Sequence, residues 1–351
     1  MNRIFAYFLA LVFLSVSCQK VSDGPAEDGY DRDFIYFFMR DVQYGDPSTK
    51  AIIENTETLK TLKLPLRVVD ETNVATPFNG SVQMAWDDAS KLWPAKRNGS
   101  SVAWQNKNYS FYSWIQSPGT GTGAGTVSYG TNIKPADKVS LTQPSSYVHS
   151  DEVLDEVWAD FLMSYVVPVD GRARPLVEFE MERITAGVEV YVSTPLAVDM
   201  TITQISITEV VHSADYSLVH HDLANSGRTG IRNNWLTTEK ATTTYTRTES
   251  VPVKRRTTED MFDSKFNVMR FITIPQSVKS ELTINYTSNG RTYTESFNLA
   301  AVPTVRRWDR GRKTRYYINL DTSVGLEAKV AEWVSVDFIE GTFLPWLPEG
   351  D

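Results

Sequence analysis

The stretch VEFEMERITAGVEVYV, residues 177–192, decides the fold, because it alternates apolar and polar side chains twice. Val177 and Phe179 begin an apolar series on odd numbers, and Val188 and Val190 continue it on even numbers. Neighbouring side chains of a strand point to opposite faces, so this pattern predicts two strands separated by a bulge or turn near residues 183–187, where Gly187 is suitable. Glu178, Glu180 and Glu182 between the apolar residues indicate a solvent-facing side rather than a catalytic carboxylate pair.

Similar alternation extends through most of the chain. Residues 34–39 are apolar on both faces, which is typical of a strand that is central in its sheet or covered on both sides. Asn289-Gly290 lies between two alternating runs and predicts a hairpin, since both residues tolerate positive φ. Helical spacing appears in one stretch, where Ser150 would cap a helix that continues to Phe161.

The pattern therefore predicts a mainly β fold of two β-sandwich domains in tandem, with at least one short helix. We expect an N-terminal sandwich over residues 34–200 and a C-terminal sandwich over residues 201–351. The boundary is not marked by a clear linker, and Thr194-Pro195 and the loop at residues 213–232 are both candidates.

The N-terminus has the features of a secretory signal. Arg3 precedes an apolar run at residues 4–16, which is too short to span a bilayer, and the run ends at Cys18, the single cysteine of the chain. Residues 14–18 resemble a bacterial lipobox, which predicts a signal peptide over residues 1–17 and lipid on Cys18. The alternative is an ordinary cleaved signal. Residues 19–33 are polar and charged and predict a tether between the lipid and the first domain.

Composition and motifs exclude several function classes. The formal net charge of -8 argues against nucleic acid, whose phosphates require a basic surface. The glycines between Gly119 and Gly125 lack the spacing of a phosphate loop, and no zinc or nucleophile-elbow motif is present. We therefore expect no enzyme activity, no cofactor and no metal. Trp104 and Trp114 belong to an aromatic cluster that could be a glycan platform, although core packing is the more common role of such residues.

Several stretches of the chain resemble the fimbrillin family, the pilus subunits of Bacteroidetes. They lie at residues 49–59, 93–114, 160–190 and 271–333, and they include Lys50-Ala51-Ile52-Ile53, Trp93-Pro94, Ile184-Thr185-Ala186-Gly187 and Tyr316-Tyr317-Ile318-Asn319-Leu320. The order and spacing of these stretches carry the resemblance. It implies transthyretin-like sandwiches, no catalysis, and a lipoprotein precursor at the outer membrane.

The resemblance also implies a mode of assembly. A protease would cut after a basic residue behind the first strand, for which Lys50 and Arg40 are the candidates. A neighbouring subunit would then fill the open groove with its C-terminal strand, whose candidate residues here are Val334, Val336, Phe338, Phe343, Leu344 and Trp346. The alternative for this tail is a final strand that stays in its own domain. The partners would be other pilus subunits, the outer membrane through the lipid, and a glycan or protein receptor. The alternative function is a surface glycan-binding lipoprotein or a tip adhesin that does not polymerise.

Overall fold

The computed structural model describes residues 30–39, 60–61, 63–70, 82–117, 119, 121–129, 138–149, 157–179, 182–217, 235, 241–320 and 325–332. These residues are mainly β, as predicted, and the 3₁₀ helices Ser264–Phe266 and Leu299–Ala301 are the helical segments with described bounds. The strands in chain order are β1 Tyr36–Met39, β2 Lys63–Asp70, β3 Val82–Ala85, β4 Trp93–Arg97, β5 Ser100–Ser101, β6 Asn108–Ser117, β7 Thr126–Tyr129, β8 Lys138–Thr142, β9 Asp160–Asp170, β10 Val177–Phe179, β11 Glu182–Arg183, β12 Ala186–Thr194, β13 Met200–Ser217, β14 Ala241–Arg247, β15 Val251–Pro252, β16 Lys254–Arg255, β17 Asn267–Thr273, β18 Gln276–Ser277, β19 Glu281–Ser288, β20 Arg291–Asn298, β21 Arg307–Trp308, β22 Arg312–Asn319 and β23 Gly325–Glu332.

The N-terminal part of the chain forms a nine-stranded sheet with the order β10-β1-β4-β3-β2-β6-β9-β11, to which β5 is added beside β4. One face of this sheet buries an aromatic-rich core. The core includes Phe37, Trp93, Phe111 and Phe179, all almost fully removed from solvent. Burial of this apolar surface is the main free-energy gain that holds these strands together.

Two further sheets enclose the largest hydrophobic core. The seven-stranded sheet has the order β20-β19-β13-β8-β7, with β14 and β15 added beside β13. The five-stranded sheet has the order β16-β12-β22-β23, with β17 added beside β12. Val188 and Val190 of β12 share one cluster with Ile205 of β13 and Ile284 of β19, so side chains of both sheets meet in the same core. This is the arrangement of a β-sandwich.

Strands on the two sides of residue 200, the predicted domain boundary, pair with each other. The boundary itself stays a prediction. β7 and β8 precede that residue, but β8 pairs with β13, in the register Val139 with Tyr216. A third core cluster, which includes Trp114 of β6 and Ile274, contains residues from both halves of the chain. The two halves therefore share hydrogen bonds and buried side chains.

The local sequence signals have different outcomes. The hairpin at Asn289-Gly290 is confirmed: both residues have positive φ, 51° and 74°, and they connect β19 with β20. The break within residues 177–192 is also confirmed, since β10 ends at Phe179 and β12 begins at Ala186. The bend lies at Thr185 rather than at Gly187, which is inside β12.

The helix predicted from Ser150 to Phe161 is wrong in its described part. Residues 150–156 lie outside the described residues, but Trp158 is in a bend and Phe161 belongs to strand β9. The apolar residues with helical spacing serve different cores, since Trp158 packs in the sandwich core and Phe161 in the third cluster. Pairing with β6 and burial of the Asp160 carboxylate determine the strand instead.

Candidate functional site

The candidate site is the position of β1 inside the nine-stranded sheet. β1 pairs in parallel with β10, where Phe37 is opposite Val177, and antiparallel with β4, where Phe37 is opposite Trp93. Its neighbours on the two sides come from distant parts of the chain. β1 is therefore an interior strand, which is one of the two alternatives expected for a segment that is apolar on both faces.

Backbone hydrogen bonds continue on the N-terminal side of β1. The Ile35 N–H donates to the carbonyl oxygen of Val102 over 2.9 Å, and the Ala95 N–H donates to the carbonyl oxygen of Ile35, also over 2.9 Å. The Trp104 N–H donates to the carbonyl oxygen of Asp33. Main-chain hydrogen bonds therefore hold the first segment from Asp33 onward, three residues before the four-residue strand β1 begins.

The inward side chains of this segment fill the aromatic core. Ile35, Phe37 and Met39 are no more than 3% exposed, and they alternate with residues that are only partly buried. The Phe37 ring stacks on Phe179 at a centroid distance of 4.7 Å and meets Phe111 edge to face at 5.2 Å. Aromatic pairs of this geometry add about 0.5–1.5 kcal/mol each to the free energy of burial.

Polar contacts hold the start of the segment. Arg174 forms an ion pair with Asp33, a residue 141 positions earlier in the chain. The Tyr36 ring lies 5.1 Å from the ring of Tyr30. Burial, with a further contribution from the charge of Asp31, raises the pKa of Tyr36 above its ordinary value, so this phenol is neutral at physiological pH.

The residues predicted to act in export and assembly lie outside the described part of the chain. Cys18, Arg40 and Lys50 lie outside the described residues, as do all six donor-strand candidates between Val334 and Trp346. They stay predictions.

The tryptophans considered as a glycan platform are both 7% exposed. Trp104 packs in the aromatic core, with its ring 5.9 Å from that of Phe111, and Trp114 packs in the cluster shared by the two halves. Neither ring offers an open face for a sugar, so their burial supports the core interpretation of these residues.

The sequence alone did not indicate three residues that hold the first segment. Phe111 and Phe179 are ordinary members of alternating strands, and nothing local distinguishes them from other core phenylalanines. The pairing of Arg174 with Asp33 is a tertiary contact without a sequence signal. The one sequence feature that could have indicated this contact is a charged residue, Asp33, directly before the apolar run at residues 34–39.

No group of three or more His, Cys, Asp or Glu side chains in the described ranges is arranged to hold a metal ion. In the same part of the chain, no helix has both the length and the apolar character needed to cross a membrane.

Comparisons with known proteins identify the family. The fimbrillin-like family matches residues 67–333. A crystal structure of a candidate cell adhesion protein from Bacteroides uniformis is 14% identical, covers 86% of this chain and 98% of its own, and has a TM-score of 0.45. A fimbrial assembly protein from Parabacteroides distasonis is 10% identical, covers 85% of this chain and 96% of its own, and has a TM-score of 0.37. No curated protein matches. Because the family match extends over most of the 351 residues, the chain belongs to the fimbrillin-like family.

Proposed function

We propose that this protein is a structural subunit of a cell-surface fimbria and that it assembles by exchange of its first strand. It is exported as a lipoprotein with lipid on Cys18 and reaches the outer membrane. Proteolysis after Lys50 or Arg40 releases β1, and the C-terminal strand of a neighbouring subunit takes its place. Membership of the fimbrillin-like family supports this function and the surface location.

The observation that carries the proposal is the interior position of β1. A strand between two neighbours leaves two unpaired edges when it departs, here those of β4 and β10. Unpaired N–H and C=O groups at a sheet edge are a template for another strand.

The vacated groove would select its new strand by side-chain spacing. Ile35, Phe37 and Met39 fill the core at every second position. Val334, Val336 and Phe338 have the same spacing in the C-terminal tail. In strand addition, main-chain hydrogen bonds supply affinity and alternate side chains in pockets fix the register. Phe343, Leu344 and Trp346 are further candidates, although Pro345 and Pro348 limit how much of that segment can join a ladder.

The first test is the intact mass and N-terminal sequence of the protein from its native cell surface. Strand exchange predicts a chain that begins at Ala51 or Asp41 and carries no lipid. A chain that begins at lipidated Cys18 would instead indicate an uncut anchor subunit or a monomeric binding protein. An unlipidated start at Gln19 or later, without a cut near residue 50, would contradict the proposal.

A second test measures the exchange itself. The mature chain is cut with a trypsin-like protease, and a fluorescent peptide of residues 333–347 is added. We expect the peptide to displace the fragment that contains β1, as followed by size exclusion and mass spectrometry. The matched control is the same peptide with Val336→Asp, which places a charge in an apolar pocket and is expected not to bind. Equal binding of both peptides, or displacement by neither, would argue against exchange of this strand.

A further inference from the structure

The outer face of the seven-stranded sheet carries a patch of side chains without charge. β14, β13, β19 and β20 lie side by side, and residues directly opposite each other on antiparallel strands share a face. Three consecutive rows are formed in this way. We call this patch the neutral face, and its ten residues are Thr201, Gln204, Ser206, Thr246, Thr283, Asn285, Thr287, Thr292, Thr294 and Ser296.

All ten side chains are hydroxyls or amides, and none is buried. Charged residues make up 22% of the chain, so ten positions would carry about two charges at that frequency, and exposed surfaces usually carry more. Among the described residues, the next positions along the chain on this face are charged, with Glu281 two residues before Thr283 and Asp199 two residues before Thr201. Thr292, Thr294 and Ser296 are exposed and the other seven residues are half-buried, so this solvent-accessible face carries no charge where some charge is usual.

The neutral face is ordered by its own hydrogen bonds. Thr294 Oγ1 donates to Asn285 Oδ1 over 2.8 Å, and Asn285 Nδ2 donates to Gln204 Oε1 over 3.4 Å. The hydroxyls of Thr283 and Ser296 are 3.0 Å apart. Threonine has few side-chain rotamers in a strand, so little conformational entropy is lost when this face meets another surface.

We propose that the neutral face is a lateral contact surface for a second copy of this chain. A hydroxyl or amide both donates and accepts hydrogen bonds, so the face can complement itself across a two-fold axis. A fibre subunit of residues 51–351 keeps 30 Lys and Arg against 36 Asp and Glu, a formal net charge of -6, so two copies repel at most orientations. A charge-free face is where two such copies can approach without local repulsion.

The size of the face determines when this contact forms. Ten positions, with strands about 4.8 Å apart and rows about 7 Å apart, give roughly 340 Å² per copy, and two copies would bury roughly 670 Å² in total. Stable protein interfaces bury about 1,200–2,000 Å². Free subunits therefore stay monomeric, whereas a fibre that repeats the face at every subunit associates side by side through avidity. This inference rests on the proposed fimbrial function, because only a fibre would present many copies of the neutral face side by side.

The test presents many copies of the neutral face on one surface without requiring the protein to form fibres. The full mature chain is attached by an N-terminal histidine tag to phosphatidylcholine vesicles that contain a nickel-chelating lipid, and vesicle clustering is followed by light scattering. We expect clustering by the wild-type chain, while sedimentation shows a monomer in free solution. Thr294→Glu and Thr294→Lys are each expected to slow clustering about tenfold or more, because either charge would lose water against uncharged side chains of the partner.

Ser101→Glu is the matched control, since Ser101 is an exposed strand hydroxyl on the nine-stranded sheet, and it should cluster like the wild type. Thermal melts establish that every variant is folded. Absence of clustering by the wild type, unchanged clustering by both Thr294 variants, or opposite effects of Glu and Lys would overturn the proposal. Competition by soluble dextran would assign the face to a glycan and would also overturn it. None of these results depends on strand exchange, so failure here is distinguishable from failure of the proposed function.

Discussion

Replacement of Phe37 by alanine tests whether β1 is an integral part of the uncut subunit. Phe37 is fully buried and contacts the rings of Phe111 and Phe179. Truncation of a buried phenylalanine removes its transfer free energy and leaves a cavity, which together cost about 3–5 kcal/mol. We expect the free energy of unfolding of the mature, uncut chain to fall by that amount. Urea unfolding measures it, and amide hydrogen exchange in β4 and β6 localises the effect to the nine-stranded sheet.

Phe38→Ala is the matched control, because the neighbouring side chain points to the opposite face and is only partly buried. It should cost about 1 kcal/mol or less. A loss below about 1.5 kcal/mol for Phe37→Ala, or an equal loss for Phe38→Ala, would refute the placement of β1. After strand exchange the difference should vanish, since Phe37 would have left the subunit with the released fragment.

Three further predictions concern buried groups near this sheet. Asp160→Asn should lower the free energy of unfolding in urea by about 3–5 kcal/mol, because it removes a buried negative charge that pairs with Arg183. The Asp160 carboxylate accepts hydrogen bonds from Arg183 Nε at 2.7 Å and from Thr185 Oγ1 at 2.6 Å. A cost below about 1 kcal/mol would contradict a stabilising role of this buried ion pair. Trp104→Ala should cost about 3–5 kcal/mol of stability by the same assay, and a stable variant that had lost only sugar binding would restore the platform hypothesis. Burial, with a smaller contribution from the charge of Asp70, raises the pKa of Tyr109 to about 12. The unfolded phenol ionises near pH 10, so the stability from this group is present below about pH 10 and is lost as the pH rises towards 12. Tyr109→Phe should reduce that alkaline loss in pH-dependent unfolding, and an unchanged pH profile would show that Tyr109 is not its source.

Local patterns predicted the elements that depend on local rules. The hairpin at Asn289-Gly290 follows from two residues that accept positive φ, and no distant contact is needed to form it. The alternating run at residues 186–194 became β12, because a period of two leaves one face free to pack in the core. The predicted helix ending at Phe161 is wrong because its apolar residues do not pack on one common core. Trp158 is buried in the sandwich core and Phe161 in the third cluster.

For the candidate site, the sequence indicated the segment but not its surroundings. The apolar run at residues 34–39 marked a strand that is covered on both sides or central. That its neighbours are β4 and β10, and that Arg174 holds Asp33, depends on contacts between residues far apart in the chain. The neutral face was equally hidden, since its ten residues come from four strands and no single strand looks unusual.

The sequence by itself determined the β class, the hairpin and the family resemblance, because alternation, turn chemistry and the order of motifs are properties of neighbouring residues. Tertiary structure alone decided that β7 and β8 join the sheet of β13, that Trp104 and Trp114 are buried, and that β1 lies inside its sheet. These features depend on which strands pair, and pairing is set by the total apolar surface that the whole chain can bury rather than by any one segment.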